Sequence, residues 1–314
     1  MKIIAATDGS RTSAAAVRFA GHIASASRGT LTVVTVGQLS PRVVQEGAGS
    51  NAVSAFESVE LRWVRAALDK ARRETRRVAV PVHCEYLAAK RLEPFGETIS
   101  RAADRLGADL TVVGSGGGTP LSRWLLGSVA NRLVHVARGP VAVVRAGARS
   151  SRKRPARILV ATDGSPAAAR AVRFAARLTS AISRARLVIL TVSTLTADLA
   201  LTASGVVRAL RLLPELERAD RRAAKKILRD AAKQARMGKR ATLRSYRPAR
   251  RLFAASAILE EAKRQRADVI VLGRTGRSAL GDVLMGSVAQ RVLTLASQPV
   301  VLVPRSRGIS KAKG

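Results

Sequence analysis

Two glycine-rich segments of this sequence have residue types and spacing that suit the binding of a phosphate group. One runs from Gly114 to Ser128 and the other from Gly273 to Ser287, and both follow the pattern G-x2-G-x9-G-S. Glycines let backbone N–H groups approach an anion closely. A predicted helix follows each segment, so its serine would stand at the N-cap, at the positive end of the helix dipole. Tight turns with ordinary caps are the alternative, and the recurrence of the full spacing favours the anion site.

An aspartate follows the first apolar run in each half of the chain, within the tetrapeptides TDGS at 7–10 and 162–165. Ligands of open α/β sheets bind at the C-terminal ends of the strands. Asp8 and Asp163 could therefore accept hydrogen bonds from a ribose or an adenine. An N-cap or an Asx-turn before the next helix is the alternative role, and the two roles are compatible.

The chain contains one domain-sized unit twice. Residues 7–20 read TDGSRTSAAAVRFA and residues 162–175 read TDGSPAAARAVRFA. Further on, LGSVANRL at 126–133 matches MGSVAQRV at 285–292. The predicted organisation is a domain at 1–146, a basic linker at 147–157, a second domain at 158–305 and a basic tail at 306–314.

Short β-branched apolar runs alternate with Ala-rich helical stretches, such as residues 13–25 and 167–180. The runs expected to form strands are Ile3–Ala6, Leu31–Val36, Val78–Cys84, Leu110–Val113 and Val141–Val144, then Ile158–Ala161, Leu187–Val192, Ala241–Tyr246, Val269–Leu272 and Val300–Val303. Runs without polar alternation are typical of strands buried on both faces of a parallel sheet. The order β-α-β-α-β-α-β-α-β therefore predicts an α/β fold of two tandem doubly wound domains.

Each unit resembles the universal stress protein domain. The resemblance rests on the Asp-Gly-Ser after the first strand, on G-x2-G-x9-G-S and on the closing Pro-Val-Val strand, and it covers about residues 1–146 and 156–305. It implies a five-stranded parallel sheet flanked by helices in each domain, of the adenine-nucleotide-binding α-hydrolase type. It also implies that the protein binds ATP, because members with the intact glycine motif typically do so. Mg²⁺ could accompany the nucleotide.

The resemblance implies one nucleotide site in each domain. Carried over by position, the adenine of the first site would lie near Ala6, Asp8 and Val36. The ribose and phosphates would meet Val113, Gly114, Gly117, Gly127, Ser128 and Val129. The matching residues of the second domain are Ala161, Asp163, Val192, Leu272, Gly273, Gly276, Gly286, Ser287 and Val288.

The resemblance further implies that domains pair through their fifth strands in an antiparallel sense. In a tandem chain Val141–Val144 and Val300–Val303 would pair within the molecule, and a homodimer is a further expectation. A terminal apolar strand is a sheet edge that needs a cover, which agrees with such pairing.

No group of residues predicts catalysis. His22 and His135 fall in predicted helices and His83 in a predicted strand, and none recurs in the other half. Cys84 suits a small buried hydrophobe in a strand. A slow ATPase stays open, because Asp282 lies within the second loop and could meet a phosphate-bound Mg²⁺. A solvated surface aspartate is the alternative.

The 56 Lys and Arg residues against 21 Asp and Glu give a formal net charge of +35. The charge is densest in Arg208–Arg251, with 16 basic and 4 acidic residues. An amphipathic helix is predicted there after Pro214, with an apolar stripe of Leu216, Ala223, Ile227, Ala231 and Ala235. The two interpretations are a solvated helix surface and a surface that binds nucleic acid or anionic lipid without sequence selectivity.

Composition limits the remaining classes. Hydrophobic residues make up 47% of the chain, which is enough for folded cores. The single cysteine excludes an internal disulfide framework and a multi-cysteine zinc site. No apolar run approaches the roughly 18 residues of a membrane span, and the first residues lack a signal-peptide layout, so a cytoplasmic protein is expected.

The expected function is an ATP-binding stress-response module that is non-catalytic or weakly ATP-hydrolysing. The alternative is a basic interaction scaffold with vestigial nucleotide sites.

Overall fold

The computed structural model describes residues 1–39, 55–76, 78–116, 126–147, 157–193, 206–246, 254–276 and 285–304, with the backbone alone at 55–58 and 206–214. These residues form two compact units, one made mostly of residues 1–155 and the other mostly of residues 156–314. The predicted tail and all of the linker except Gly147 and Arg157 lie outside the described residues.

The first unit alternates strands and helices from its first residues. Its elements are β1 (Lys2–Ala6), α1 (Arg11–Ala26), β2 (Thr30–Gly37), α2 (Ala55–Thr75), β3 (Val82–Ala88), α3 (Phe95–Leu106), β4 (Leu110–Gly114), α4 (Ser128–Val136) and β5 (Val141–Val144). The strand order is β3-β2-β1-β4-β5, and every neighbouring pair is parallel. This arrangement confirms the predicted doubly wound α/β fold.

The second unit repeats the same order of elements. They are β6 (Arg157–Ala161), α5 (Pro166–Ala181), β7 (Arg186–Val192), α6 (Val206–Ala235), β8 (Ala241–Tyr246), α7 (Ala254–Arg264), β9 (Val269–Gly273), α8 (Ser287–Leu295) and β10 (Val300–Val303). The order is β8-β7-β6-β9-β10, with parallel pairing of β6 to β7 and β9 and of β7 to β8.

The central strands are buried on both faces, as their continuous apolar runs predict. All five residues of β4 and all four of β5 and of β10 are buried. The edge strands differ, because β3 is mostly half-buried and β8 is mostly exposed. Their polar residues, among them Glu85 and Arg244, are thereby accommodated at sheet edges, where one side of the strand meets water.

The predicted third strand, Val78–Cys84, was placed too early. Val78 lies instead in a turn in which its N–H donates to the carbonyl oxygen of Thr75 at 2.9 Å. The strand begins only after Pro81, and it continues to Ala88, which pairs with Gly37 of β2. Proline has no N–H for the ladder, so it marks the start of the strand rather than its interior.

The long helix of the second unit also differs from the prediction. It begins at Val206 and includes Pro214, at the cost of one backbone hydrogen bond. Its buried stripe consists of Ala224, Leu228, Ala231 and Ala235, which pack towards β7 and β8. Ala223 is exposed, and Leu216 and Ile227 are half-buried. Since Ile227 and Leu228 are both apolar, periodicity alone could not choose between two faces one residue apart.

Candidate functional site

Each unit has a cavity of about 250 Å³ at the C-terminal ends of its central strands. The first cavity lies between β1, β2, β4 and the N-termini of α1 and α4, and the second lies between the corresponding elements of its unit. The lining of the first is Ala6, Thr7, Asp8, Thr12, Ser13, Val34, Val36, Trp63, Phe95, Ile99, Val113, Gly114, Gly116, Gly127, Ser128, Val129 and Ala130. The lining of the second is Ala161, Thr162, Asp163, Ala168, Val192, Ala254, Ile258, Leu272, Gly273, Thr275, Gly276, Gly286, Ser287, Val288 and Ala289.

The structure brings together every predicted site residue that it describes. Only Gly117 lies outside the described residues; the other predicted residues of each unit line that unit's cavity. They come from strand ends and helix starts far apart in the sequence, which meet at one edge because the strands are parallel.

Gly114 and Gly273 are the last residues of the fourth strands of their units, and each lies directly against the first helix. A Cβ at Gly114 would lie 2.7 Å from the carbonyl carbon of Thr12, and a Cβ at Gly273 would lie 2.9 Å from that of Ala167. No side chain fits at these distances. The glycines therefore set how closely the C-terminal end of the strand approaches the helix N-terminus, and this contact forms the back of each cavity.

In the first unit two further glycines meet where the loop begins and ends. Gly116 has a positive φ of 75°, and its Cβ, if present, would lie 2.6 Å from Cα of Gly127. The Gly127 N–H donates to the carbonyl oxygen of Ser115 at 2.7 Å. In the second unit the Gly286 N–H donates to the carbonyl oxygen of Arg274 at 2.9 Å. Both loops thus return to the strand that they leave.

The predicted capping role of the two serines is wrong. The N-caps are Gly127 and Gly286, with extended backbone and no side-chain cap hydrogen bond, and Ser128 and Ser287 are the first helical residues. The first i to i−4 hydrogen bond of α4 runs from the N–H of Asn131 to Gly127. The N–H groups of residues 128–130 therefore have no partner within the helix and lie at the cavity.

Asp8 and Asp163 each form the Asx-turn that was expected as one of their two roles. Asp8 Oδ1 accepts from the N–H of Ser10 at 2.9 Å, and Asp163 Oδ1 accepts from the N–H of Ser165 at the same distance. Burial raises the pKa of Asp8, but hydrogen bonds from Ser10 and Ser13 outweigh it, so the pKa lies below its ordinary value. The carboxylates also line the cavities, so one side chain shapes the turn and faces the site.

Hydrogen bonds involving hydroxyl groups hold the start of α1 against the end of β1, next to the carboxylate of Asp8. The side chain of Ser10 is the N-cap of α1 and accepts from the N–H of Ser13 at 3.2 Å. The hydroxyls of Thr7 and Ser13 lie 3.2 Å apart, and Thr35 donates to the carbonyl oxygen of Thr7 at 2.9 Å. This network holds the strand end and the helix start in one geometry.

The front walls of the two cavities differ, and this difference was missed from the sequence. Trp63 of α2 and Phe95 of α3 line the first cavity, and Trp63 is 40% exposed. The corresponding wall of the second cavity has Ala254 and Ile258 of α7. The scarcity of aromatic residues, 3% of the chain, was the one signal that could have drawn attention to Trp63.

Neither cavity contains a group of catalytic side chains among the residues that the structure describes. His22 and His135 lie in α1 and α4, and the exposed His83 lies on β3, away from both linings. Cys84 is half-buried, and burial raises the pKa of its thiol. Within the described ranges, no cluster of three His, Cys, Asp or Glu could hold a metal ion. Asp282 lies outside them.

None of the helices in the described part of the chain combines the length and the hydropathy that a membrane span requires.

The fold and the two cavities define a class: tandem parallel α/β domains, each with a cavity at the C-terminal ends of its central strands. The family model described as the universal stress protein family matches residues 1–145 and 156–304. The chain belongs to the universal stress protein family.

One relative and two solved structures are similar to this chain over nearly its whole length. A universal stress protein of Mycolicibacterium smegmatis is 30% identical over 302 residues, which are 96% of either chain. The crystal structure of a universal stress protein from Archaeoglobus fulgidus is 18% identical with a TM-score of 0.63, covering 97% of this chain and 98% of the other. A functionally unknown protein, PA1789, from Pseudomonas aeruginosa has 17% identity and a TM-score of 0.63, covering 97% and 92%. The two structures support the fold alone.

Proposed function

We propose that each unit binds one adenine nucleotide, with ATP as the main ligand, and that the protein works as a nucleotide-responsive module in a stress response rather than as a catalyst. The observation that carries the proposal is the combination, present twice, of a cavity at the sheet edge with glycine-lined backbone at a helix N-terminus. Such a helix start, with unpaired N–H groups and the positive end of the dipole, favours phosphate.

The two ends of each cavity suit the two ends of a nucleotide. In the first unit Ser128, Val129 and Ala130 offer backbone N–H groups to phosphates. Val34, Val36 and Ile99 provide an apolar slot for a base, and Asp8 stands at its edge as a hydrogen-bond acceptor. A cavity that is mostly apolar with a few convergent polar groups is the usual form of a cofactor site.

Magnesium fits this proposal as a companion of the nucleotide. Asp8 is the one carboxylate among the described residues that line the first cavity, and Asp163 has that position in the second. Mg²⁺ is commonly held by one or two carboxylates together with substrate phosphates and water. When bound, the ion would neutralise phosphate charge, and Asp8 or Asp163 would be its protein ligand.

Substitution of the first helical serine tests the proposal at each site separately. An aspartate at position 128 or 287 suits the start of a helix, so the fold should persist. Its charge would stand where a phosphate is expected and should weaken ATP binding at least tenfold, roughly what 1.4 kcal/mol of repulsion gives. The neutral Ser128→Asn and Ser287→Asn variants are the matched controls.

Isothermal titration of the purified full chain with ATP and Mg²⁺ gives the readout. We expect two sites of full affinity in the natural protein, one in Ser128→Asp, one in Ser287→Asp and none in the double variant, with both kept in the asparagine controls. No binding to the natural protein would favour the scaffold with vestigial sites. Multiple-turnover phosphate release that the double variant abolishes would show that the protein is an ATPase.

A further inference from the structure

One side of α6 has a continuous row of exposed cations. We call it the basic stripe and define it as Arg218, Arg221, Arg222, Lys225, Lys226, Arg229 and Lys233, all of which are exposed. At about 100° per residue these side chains fall within an arc of roughly 140°, and at 1.5 Å per residue they span about 22 Å. The buried stripe of the same helix lies beside this arc and faces β7 and β8.

The acidic residues of α6 leave the stripe largely uncompensated. A helix has about 3.6 residues per turn, and this periodicity places only Glu215 of the four carboxylates of α6 inside the arc. Asp220 is engaged by the hydroxyl of Ser193. Within the described residues, Arg221 is the one member of the stripe with a salt bridge, to Glu217 at 3.2 Å, and its side chain is still 67% exposed.

The first unit provides an internal comparison for this charge. Its α2 occupies the same place in the order of elements and has five basic and four acidic residues, whereas α6 has nine basic and four acidic. Both helices belong to one arginine-rich chain, so a general compositional bias would have affected both. The excess on α6 is therefore a local feature.

We propose that the basic stripe binds the phosphate backbone of a duplex nucleic acid without sequence selectivity. Duplex DNA has one negative charge per about 1.7 Å of its axis, so a row of cations about 22 Å long faces many phosphates at once. Such contacts position a protein on a duplex and read no bases. The inference is independent of the proposed nucleotide sites, because no described residue of α6 lines the second cavity.

Two other polyanionic partners fit this helix less well. Binding to a lipid surface needs an apolar face that can enter the bilayer, but Leu228 and its neighbours in the buried stripe already pack against the sheet. Binding to single strands relies on aromatic side chains on which bases stack, and α6 contains none. A duplex, with its phosphates outside and its bases stacked within, matches a purely cationic face.

Fluorescence anisotropy with a labelled, random-sequence duplex of about 20 base pairs measures the interaction at several salt concentrations. The stripe variant of the full chain combines four neutral substitutions, Arg222→Gln, Lys225→Gln, Lys226→Gln and Arg229→Gln. The matched control removes the same charge from exposed positions of α2, by Arg62→Gln, Arg65→Gln, Arg72→Gln and Arg73→Gln. Glutamine is a good helix former, and circular dichroism checks that both variants are folded.

We expect the natural protein to bind the duplex with a strongly negative slope of log K against log salt, of about −4 to −6. The stripe variant should lose at least about tenfold in affinity, with a slope smaller in magnitude by about 3 to 4, since each lost phosphate contact removes about 0.9. The α2 control and the Ser128→Asp, Ser287→Asp double variant should bind almost as the natural protein does.

Three results would overturn the inference. Equal losses in the stripe variant and the α2 control would show that only net charge matters. Tighter binding to vesicles of phosphatidylglycerol than to the duplex would assign the stripe to membranes. Absence of duplex binding by the natural protein at low salt would leave the stripe as a solvated surface. Each result is separable from the ATP titration, which does not depend on α6.

Discussion

Alanine at Gly127 should disturb the first site far more than alanine at Gly286 disturbs the second. Both glycines are N-caps with similar backbone angles, φ −62° and ψ 154° at Gly127 and φ −66° and ψ 145° at Gly286. Alanine adopts these angles freely. A Cβ at Gly127 would lie 2.9 Å from Cα of Gly116, whereas a Cβ at Gly286 would have its nearest neighbour, the nitrogen of Gly276, at 3.4 Å.

The contact distances give the size of the difference. Carbon atoms pack at about 3.5–4.0 Å, so a methyl group at Gly127 would overlap the Gly116 backbone by about 0.6–1 Å. Overpacking of this kind costs about 1–3 kcal/mol. The poorer N-cap adds a few tenths to about 1 kcal/mol in both variants and cancels in the comparison. The expected difference corresponds to a factor of about 5 to 150 in the local opening equilibrium.

Hydrogen exchange by mass spectrometry on the full chain reads this difference in peptides from α4 and α8, because local opening controls their exchange. Gly127→Ala should speed exchange in α4 by about that factor more than Gly286→Ala speeds exchange in α8, where only the poorer cap acts. ATP titrations should follow, with the untested site silenced by Ser287→Asp or Ser128→Asp. Equal effects of the two alanines, or a larger effect at Gly286, would refute the steric reasoning.

Three further predictions follow from individual side chains. ATP should change the fluorescence of Trp63 in a Trp124→Phe background, because Trp63 lines the first cavity and not the second. A signal that survives Ser128→Asp would contradict this assignment. Because the folded pKa of Asp8 lies below its ordinary 3.8, its carboxylate stabilises the fold above about pH 4 and loses this contribution as the pH falls through the folded pKa. Asp8→Asn should therefore flatten the acid limb of stability measured by urea unfolding, and an unchanged limb would count against it. Burial raises the pKa of the Cys84 thiol, so its reaction with a disulfide reagent near pH 8 should be slower than that of a model thiol, and an equal or faster rate would contradict the raised pKa.

Much of the fold could be predicted from the sequence because its signals are local. The apolar runs placed all ten strands, and only the third was shifted, since Val78 and Val80 are as β-branched as a strand while Pro81 decides where pairing begins. The pairing of the two fifth strands and the homodimer stay predictions. The strand-end residues of the candidate site were predictable for a similar reason: parallel order brings all C-terminal strand ends to one edge.

The features that were missed depend on one-residue registers and on packing between distant elements. The helix-start serines were taken as caps, but the N-caps are Gly127 and Gly286. At Gly127 the close approach to Gly116 leaves no room for a side chain. Trp63 and Phe95 reach the first cavity from two helices whose rotation is set by the whole unit. The rotation of α6, with Leu228 rather than Ile227 towards the sheet, is of the same kind.

The two copies use one helix position in different ways, and this difference links the proposals. In the first unit α2 is nearly charge-balanced and contributes Trp63 to the cavity. In the second unit no described residue of α6 lines the cavity, and the exposed side of that helix has the basic stripe instead. A helix that lines a cavity, as α2 does, must keep the shape and polarity of that face. A helix that does not line one, as α6, can change its exposed residues more freely. The duplication therefore allows a division of roles, in which we expect Trp63 to contribute to ligand binding in the first unit and the basic stripe to bind polyanions in the second. Exchange of Trp63 for alanine should affect ATP binding at the first site and leave duplex binding unchanged, and the stripe variant should do the reverse.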